Sequence, residues 1–102
     1  MSKILAIDFD GVLHDFKAPL PGKRMGGPVD GAKSHMELLR AQGHTLIIHT
    51  VKAVTEDGKR AVRDWLNYYQ IPFDDVTAIK PNASIFLDDH AQHFTSWDKV
   101  VV

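Results

Sequence analysis

The chain contains no cysteine among its 102 residues. This absence excludes disulfides, thiolate zinc sites and cysteine nucleophiles. Long apolar runs are also lacking, since the run at residues 4–7 is far too short to span a membrane and acidic residues follow it closely. We therefore expect no membrane association and a cytoplasmic location. An excess of charge of one sign is missing as well: the formal net charge is -1, so nucleic acid is not indicated as a partner.

The remaining composition is that of an ordinary globular domain, with 44% hydrophobic and 25% charged residues. The length predicts a single domain over residues 1–102. Short apolar runs alternate with segments of helical periodicity, which indicates an α/β protein with a parallel sheet. The pattern predicts helices that start near Asp30 and Thr55 and end before Gly43 and Pro72. It predicts strands over residues 3–8, 45–50, 76–79, 84–88 and 99–102.

Residues 11–28 are rich in glycine and proline and carry three basic side chains, Lys17, Lys23 and Arg24. The composition predicts a long irregular loop, and loops of that length in small domains are usually functional or disordered. We expect the basic side chains to be solvated, and contact with a substrate phosphate is the alternative.

Polar or charged side chains follow four predicted strands, at the carboxyl end of each: Asp8 and Asp10, Thr50, Lys80, and Asp88 with Asp89. Ligands of open parallel sheets bind beyond this edge, so we expect these groups to lie close together. Two carboxylates about 4 Å apart repel each other by roughly 4 kcal/mol, so the cluster implies a cation. Oxygen donors in a chain without cysteine favour Mg²⁺, with the four aspartates as candidate ligands.

The same residues predict phosphoryl transfer. A carboxylate nucleophile can accept a phosphoryl group and so split the transfer into two easier steps, and Asp8 is the candidate. Asp10 is placed to protonate the leaving oxygen and later to activate water. Thr50 is expected to donate a hydrogen bond to a phosphoryl oxygen, and Lys80 to neutralise charge. Gly11 permits a sharp turn directly after the acidic pair.

The order of these groups resembles that of the haloacid dehalogenase superfamily, in small members without a cap domain. The four motifs correspond to Asp8-Phe9-Asp10-Gly11-Val12, Thr50, Lys80, and Asp88 with Asp89, and the resemblance covers nearly the whole chain. It implies a three-layer sandwich with a Rossmann-like, mainly parallel five-stranded sheet, in which the first strand lies between the second and the fourth. It also implies a Mg²⁺-dependent phosphatase that forms an aspartyl-phosphate on Asp8, with Asp88 favoured over Asp89 as direct metal ligand.

The sequence departs from this family where small members often carry an arginine. Val51 and Lys52 stand after the second motif, and His90 after the fourth. Lys52 therefore joins Gly11 and the basic residues of the 11–28 segment as a candidate for substrate binding. An uncapped site is open to solvent, so the resemblance implies a phosphorylated substrate that can be macromolecular. We expect a monomer or a weak homo-oligomer.

Two functions without turnover remain open. Response-regulator receivers also place an acidic pair after their first strand, a threonine later, and a Lys-Pro pair near the end. Two features argue against a receiver: Asp88 and Asp89 follow Lys80, and no aspartate ends an apolar strand between Asp10 and Thr50. A phosphatase-like domain that only binds phosphate as a regulatory module is the other alternative.

Overall fold

The computed structural model describes residues 2–19, 25–83, 85–88, 92–93 and 95–100. The two helices are α1 (Ala32–Ala41) and α2 (Glu56–Tyr68). The strands are β1 (Ile4–Asp8), β2 (His14–Pro19), β3 (Gly26–Pro28), β4 (Thr45–His49), β5 (Asp75–Thr77), β6 (Ile85–Asp88) and the two-residue β7 (Gln92–His93). The alternation of strands and helices predicted from the sequence is therefore present.

Four parallel strands form the sheet, in the order β5-β4-β1-β6. The short β7 pairs with the end of β6. The expectation that the first strand lies between the second and fourth strands of the sheet is confirmed. The expectation of a strand that starts at Lys99 is wrong, because this residue ends the 3-10 helix Trp97–Lys99, and residues 101–102 lie outside the described part of the chain.

The centre of the sheet is the apolar strand β1. Leu5, Ala6 and Ile7 are all buried. Since successive side chains of a strand point to opposite faces, both faces of β1 are covered. Ile7 pairs with Ile48 of β4 and Leu87 of β6, so apolar residues continue across the sheet at this register.

The segment expected to be an irregular loop contains an antiparallel hairpin of β2 and β3. Tertiary hydrogen bonds hold its base: the Val29 N–H donates to the Leu13 carbonyl over 2.8 Å, and the Gly26 N–H to the His14 ring over 2.9 Å. The third strand has the sequence Gly-Gly-Pro, which shows no alternation of apolar and polar side chains, so its strand character could not be recognised locally.

One residue sets the start of each helix, through its backbone conformation in α1 and through its side chain in α2. Asp30 was expected to cap α1, but the residue before the helix is Gly31, whose φ of 83° favours glycine. Thr55 caps α2 as predicted, because its Oγ1 accepts the Gly58 N–H over 3.0 Å. The buried residues are Ala32, Met36 and Leu39 in α1, and Val62, Trp65 and Leu66 in α2. Within the described part of the chain, no helix is long and apolar enough to cross a membrane.

Candidate active site

Two aspartates occupy equivalent positions at the point where the strand order reverses. The chain runs outward from β1 through β4 to β5 and then returns to β6 on the other side of β1. Ligands of open α/β sheets bind beyond the carboxyl ends of the strands at such a point. Ile7 pairs with Leu87, so Asp8 and Asp88 follow at matching positions on neighbouring strands, which lie about 4.8 Å apart. Only the backbone of Asp88 is described, and Asp89 lies outside the described residues.

A tight turn follows β1 and holds the second aspartate of the motif at its start. The N–H groups of Leu13 and His14 both donate to the Phe9 carbonyl, over 3.0 and 2.9 Å. The N–H of Gly11 donates to the His14 carbonyl over 2.8 Å, so a substrate contact at Gly11 would not use this donor. Its φ of 83° explains why glycine stands here, as expected from the sequence.

Both carboxylate oxygens of Asp10 have partners. Oδ1 lies 2.7 Å from Nδ1 of His14, and Oδ2 lies 3.2 Å from Nζ of Lys52. The Asp10 side chain is 33% exposed, so solvent and substrate can reach it. Lys52 was a candidate only because it replaces an arginine of the resembled family. The structure brings its ammonium group to the acidic motif.

His14 was not among the site residues predicted from the sequence, although it lies close to the acidic motif along the chain. His14 stands four residues after Asp10. Because the segment between them is a turn and not a helix, this spacing could not predict a contact between the two side chains. The sequence did contain one signal, because the histidine directly follows the apolar pair Val12 and Leu13. A polar side chain buried beside such residues requires a hydrogen-bond partner. His14 is buried and finds that partner in Asp10.

Thr50 is buried at the carboxyl end of β4 and organises the neighbouring segment. Its main-chain N–H donates to the Thr77 carbonyl over 2.9 Å, and its Oγ1 accepts the Lys52 N–H over 3.2 Å. The residue thereby caps the 3-10 helix Val51–Val54, which carries Lys52. A hydroxyl that accepts one hydrogen bond keeps its own proton for donation, so Thr50 can still donate to a phosphoryl oxygen.

The lysine of the third motif follows a turn at the end of β5. The Ile79 N–H donates to Oγ1 of Thr77 over 3.0 Å, and the Ile79 side chain is 79% exposed. The predicted strand extended to Ile79, but β5 ends two residues earlier at Thr77, because the Ile79 N–H bonds the Thr77 hydroxyl and the Ile79 side chain is exposed. The Lys80 ammonium lies 4.9 Å from the centroid of the Phe86 ring, within cation–π range.

The basic residues of the 11–28 segment are described only in part. Lys17 is exposed, its Nζ lies 6.0 Å from the centroid of the Phe16 ring, and its N–H donates to Oδ1 of Asp15 over 3.2 Å. This exposed placement agrees with a solvated side chain. Lys23 and Arg24, the other two candidates, lie outside the described residues.

The donor set suits a hard cation. Among the described side chains, no group of three or more histidine or acidic residues is close enough to hold a metal ion. The expected set extends beyond those side chains, because it includes Asp88 and Asp89. Asp8 ends β1 and Asp88 ends β6, so two carboxylate residues stand at this edge of the sheet, and oxygen donors are the type that Mg²⁺ prefers.

Comparison with known proteins supports the fold and names no activity. No known protein family has a sequence profile that matches the chain. No curated protein is similar in sequence. The chain is similar in structure to a conserved protein from Bacteroides thetaiotaomicron, with a TM-score of 0.76 and 21% sequence identity over 96% of this chain and 85% of that chain. At this identity the similarity shows a shared α/β fold with a parallel sheet.

Proposed function

We propose that the protein is a Mg²⁺-dependent phosphomonoester hydrolase that acts through an aspartyl-phosphate on Asp8. In this proposal the fold is of the haloacid dehalogenase type, with three layers, a five-stranded sheet and no cap domain, and the protein works in the cytoplasm. The segment that carries β2 and β3 spans only residues 14–28, which is too short for a cap domain. The substrate is a phosphorylated molecule that reaches an open site.

The observation that carries the proposal is the environment of Asp10. This carboxylate lies two residues after Asp8, at the strand-order reversal, and is held by an imidazole on one oxygen and an ammonium on the other. A carboxylate that serves only as a surface charge needs no buried histidine. A general acid–base does need a fixed orientation toward the reacting oxygen.

In the first step an oxygen of Asp8 bonds to phosphorus while the bond to the ester oxygen breaks, and Asp10 donates a proton to that leaving oxygen. The hydroxyl of Thr50 and the ammonium groups of Lys52 and Lys80 are the donors proposed for the phosphoryl oxygens. In the second step Asp10 accepts a proton from water as the water oxygen attacks phosphorus and frees Asp8.

The metal ion has a restricted role in this proposal. Asp8, the carbonyl of Asp10 and Asp88 would hold Mg²⁺, with Asp89 as the remaining candidate. When bound, the ion neutralises negative charge on the nucleophile and on the phosphoryl oxygens.

The strand order argues against a receiver. Receivers have the order 2-1-3-4-5, in which the first strand lies between the second and the third. Here the first strand of the sheet, β1, lies between the second and the fourth, β4 and β6. The remaining alternative, a module that binds phosphate without turnover, differs from the proposal only in activity.

Hydrolysis of p-nitrophenyl phosphate tests the proposal, with wild type and Asp8→Asn measured in Mg²⁺ and in EDTA. We expect turnover only for wild type with Mg²⁺, and a loss of at least about 10³-fold in kcat for Asp8→Asn. Asp64→Asn is the matched control, because Asp64 is an exposed aspartate of α2. Turnover that survives in Asp8→Asn would refute the nucleophile, and phosphate binding without any turnover would establish the binding module instead.

A further inference from the structure

A buried histidine connects Asp10 to the β2–β3 hairpin. Nδ1 of His14 lies 2.7 Å from Oδ1 of Asp10, and its Nε2 accepts the main-chain N–H of Gly26 over 2.9 Å. A neutral imidazole has one donor nitrogen and one acceptor nitrogen. Because Nε2 accepts from Gly26, the proton of the ring lies on Nδ1 and is donated to Asp10.

The ring of His14 is held from several sides. It stacks on Phe9 with ring centroids 5.0 Å apart, and it forms a T-shaped pair with Trp65 with centroids 5.5 Å apart. Trp65 also donates its Nε1–H to the Gly26 carbonyl over 2.9 Å, so α2 contacts the same residue whose N–H donates to the histidine. Rotation of the ring would leave a buried donor or acceptor unpaired, which is unfavourable.

We infer that His14 is the positioning residue of the acid–base step: it holds Oδ1 of Asp10 and leaves Oδ2 as the oxygen that carries the proton. This inference rests on the function proposed above. Oδ1 accepts the His14 Nδ1–H. Oδ2 faces the Lys52 ammonium at 3.2 Å, and this half-exposed cation is free to turn toward the phosphoryl oxygens of a substrate.

The proton then passes through Oδ2 alone. When Lys52 contacts the phosphoryl group, Oδ2 takes a proton from solvent, which reaches the partly exposed carboxyl group. This proton moves to the ester oxygen as its bond to phosphorus breaks and the bond between Asp8 and phosphorus forms. Oδ2 is protonated again by the attacking water as the water oxygen bonds to phosphorus and the bond to Asp8 breaks, so the cycle closes.

Two amide variants of His14 separate its two hydrogen bonds. The amide nitrogen of asparagine is as many bonds from Cβ as Nδ1 of histidine, so His14→Asn keeps a donor for Asp10. The amide group of glutamine reaches as far as Nε2, so His14→Gln keeps a partner for Gly26 and loses the one for Asp10. The rates of both variants are compared on p-nitrophenyl phosphate, whose leaving group needs little protonation, and on phenyl phosphate, whose leaving group needs more.

We expect His14→Gln to lose about 10- to 100-fold in kcat on phenyl phosphate and less than about threefold on p-nitrophenyl phosphate, since general acid catalysis contributes about 10²–10⁴-fold. His14→Asn is expected to retain most of the rate on phenyl phosphate. KM should change little in either variant, because His14 contacts no substrate. A purely structural role would lower both rates of His14→Gln equally.

Four results would overturn the inference. An equal loss on the two esters, or wild-type rates in His14→Gln, would refute the positioning role and leave the phosphatase intact. A wild-type protein that hydrolyses neither ester would overturn the proposed function and this inference with it. Nitrogen-15 NMR of the wild type is independent of activity and of variant folding: a protonated Nδ1 and an unprotonated Nε2 in His14 are expected, and the opposite tautomer would contradict the assignment.

Discussion

Asp10 and Asp74 have the same number of polar partners and lie at different parts of the sheet. Asp10 follows the carboxyl end of β1 and contacts His14 and Lys52. Asp74 precedes β5; its Oδ1 lies 3.1 Å from Nη2 of Arg40, and its Oδ2 accepts the Leu46 N–H over 2.7 Å. Each carboxylate thus has one cation and one further nitrogen, and the two side chains are similarly exposed.

The difference lies in what the partners can do. Arg40 belongs to α1 and Leu46 to β4, so Asp74 joins two regular elements with a guanidinium that stays charged and a main-chain donor. Lys52 lies on a short 3-10 helix, and its ammonium is a compact charge on a flexible stem that can change partner. Under the proposed function, the chemistry of the partners, and not their number, distinguishes a carboxylate that stabilises the fold from one that transfers a proton.

Asparagine at the two positions gives the largest contrast. We expect Asp10→Asn to lower kcat by about 10²–10⁴-fold, because an amide cannot transfer the proton. Asp74→Asn should change kcat less than about twofold, since a stabilising contact away from the reacting atoms adds no transition-state interaction. Steady-state kinetics on phenyl phosphate measures both variants. Equal rate losses at the two positions would break the distinction.

The cation at Asp10 is expected to have an intermediate effect. Lys52→Met removes a group proposed to bind the phosphoryl oxygens. Because the lost interaction is a charged hydrogen bond from a half-exposed side chain, KM should rise about tenfold, and kcat should change less than about threefold. Lys33→Met is the control, because Lys33 is an exposed lysine of α1. An unchanged KM in Lys52→Met would show that the lysine serves Asp10 and does not bind substrate.

The smallest effect is expected in the stability of Asp74→Asn. The variant loses the ion pair with Arg40 and weakens the hydrogen bond from Leu46, so the free energy of unfolding should fall by about 1 kcal/mol. Urea unfolding measures this change, with an unaltered dependence on denaturant as the sign that the fold persists. A fall above about 3 kcal/mol would show that this carboxylate holds more of the fold than its two contacts.

Local patterns predicted the elements whose signals are complete within a few residues. The continuous apolar run of β1 indicated a strand covered on both faces, and Thr55 indicated the start of α2 through its hydroxyl and the acidic first turn. The predicted cap at Asp30 was wrong, because a short polar side chain marks a possible helix start and does not fix the residue at which the helix begins. The conformation of Gly31 decided where it does begin.

The grouping of polar residues at the carboxyl ends of the strands could be predicted from the sequence, and the hydrogen bonds among them could not. Strand ends of a parallel sheet meet at one edge whatever their spacing in the chain, which is why Asp8, Thr50 and Asp88 could be grouped from the sequence. His14 could not be grouped with Asp10 in this way. Their contact depends on the turn at Gly11 and on the Gly26 peptide, which belongs to a strand without any local signal.

The sequence by itself determined the α/β class, the apolar strands and the polar residues that end them, because periodicity and strand termini are local properties. Only the tertiary structure decided the β2–β3 hairpin, the exposure of Ile79 and the Asp10–His14–Lys52 contacts. The physical reason is that a hydrogen bond between distant groups forms only after packing has brought them within about 3 Å in a suitable direction, and residue spacing carries no information about that direction.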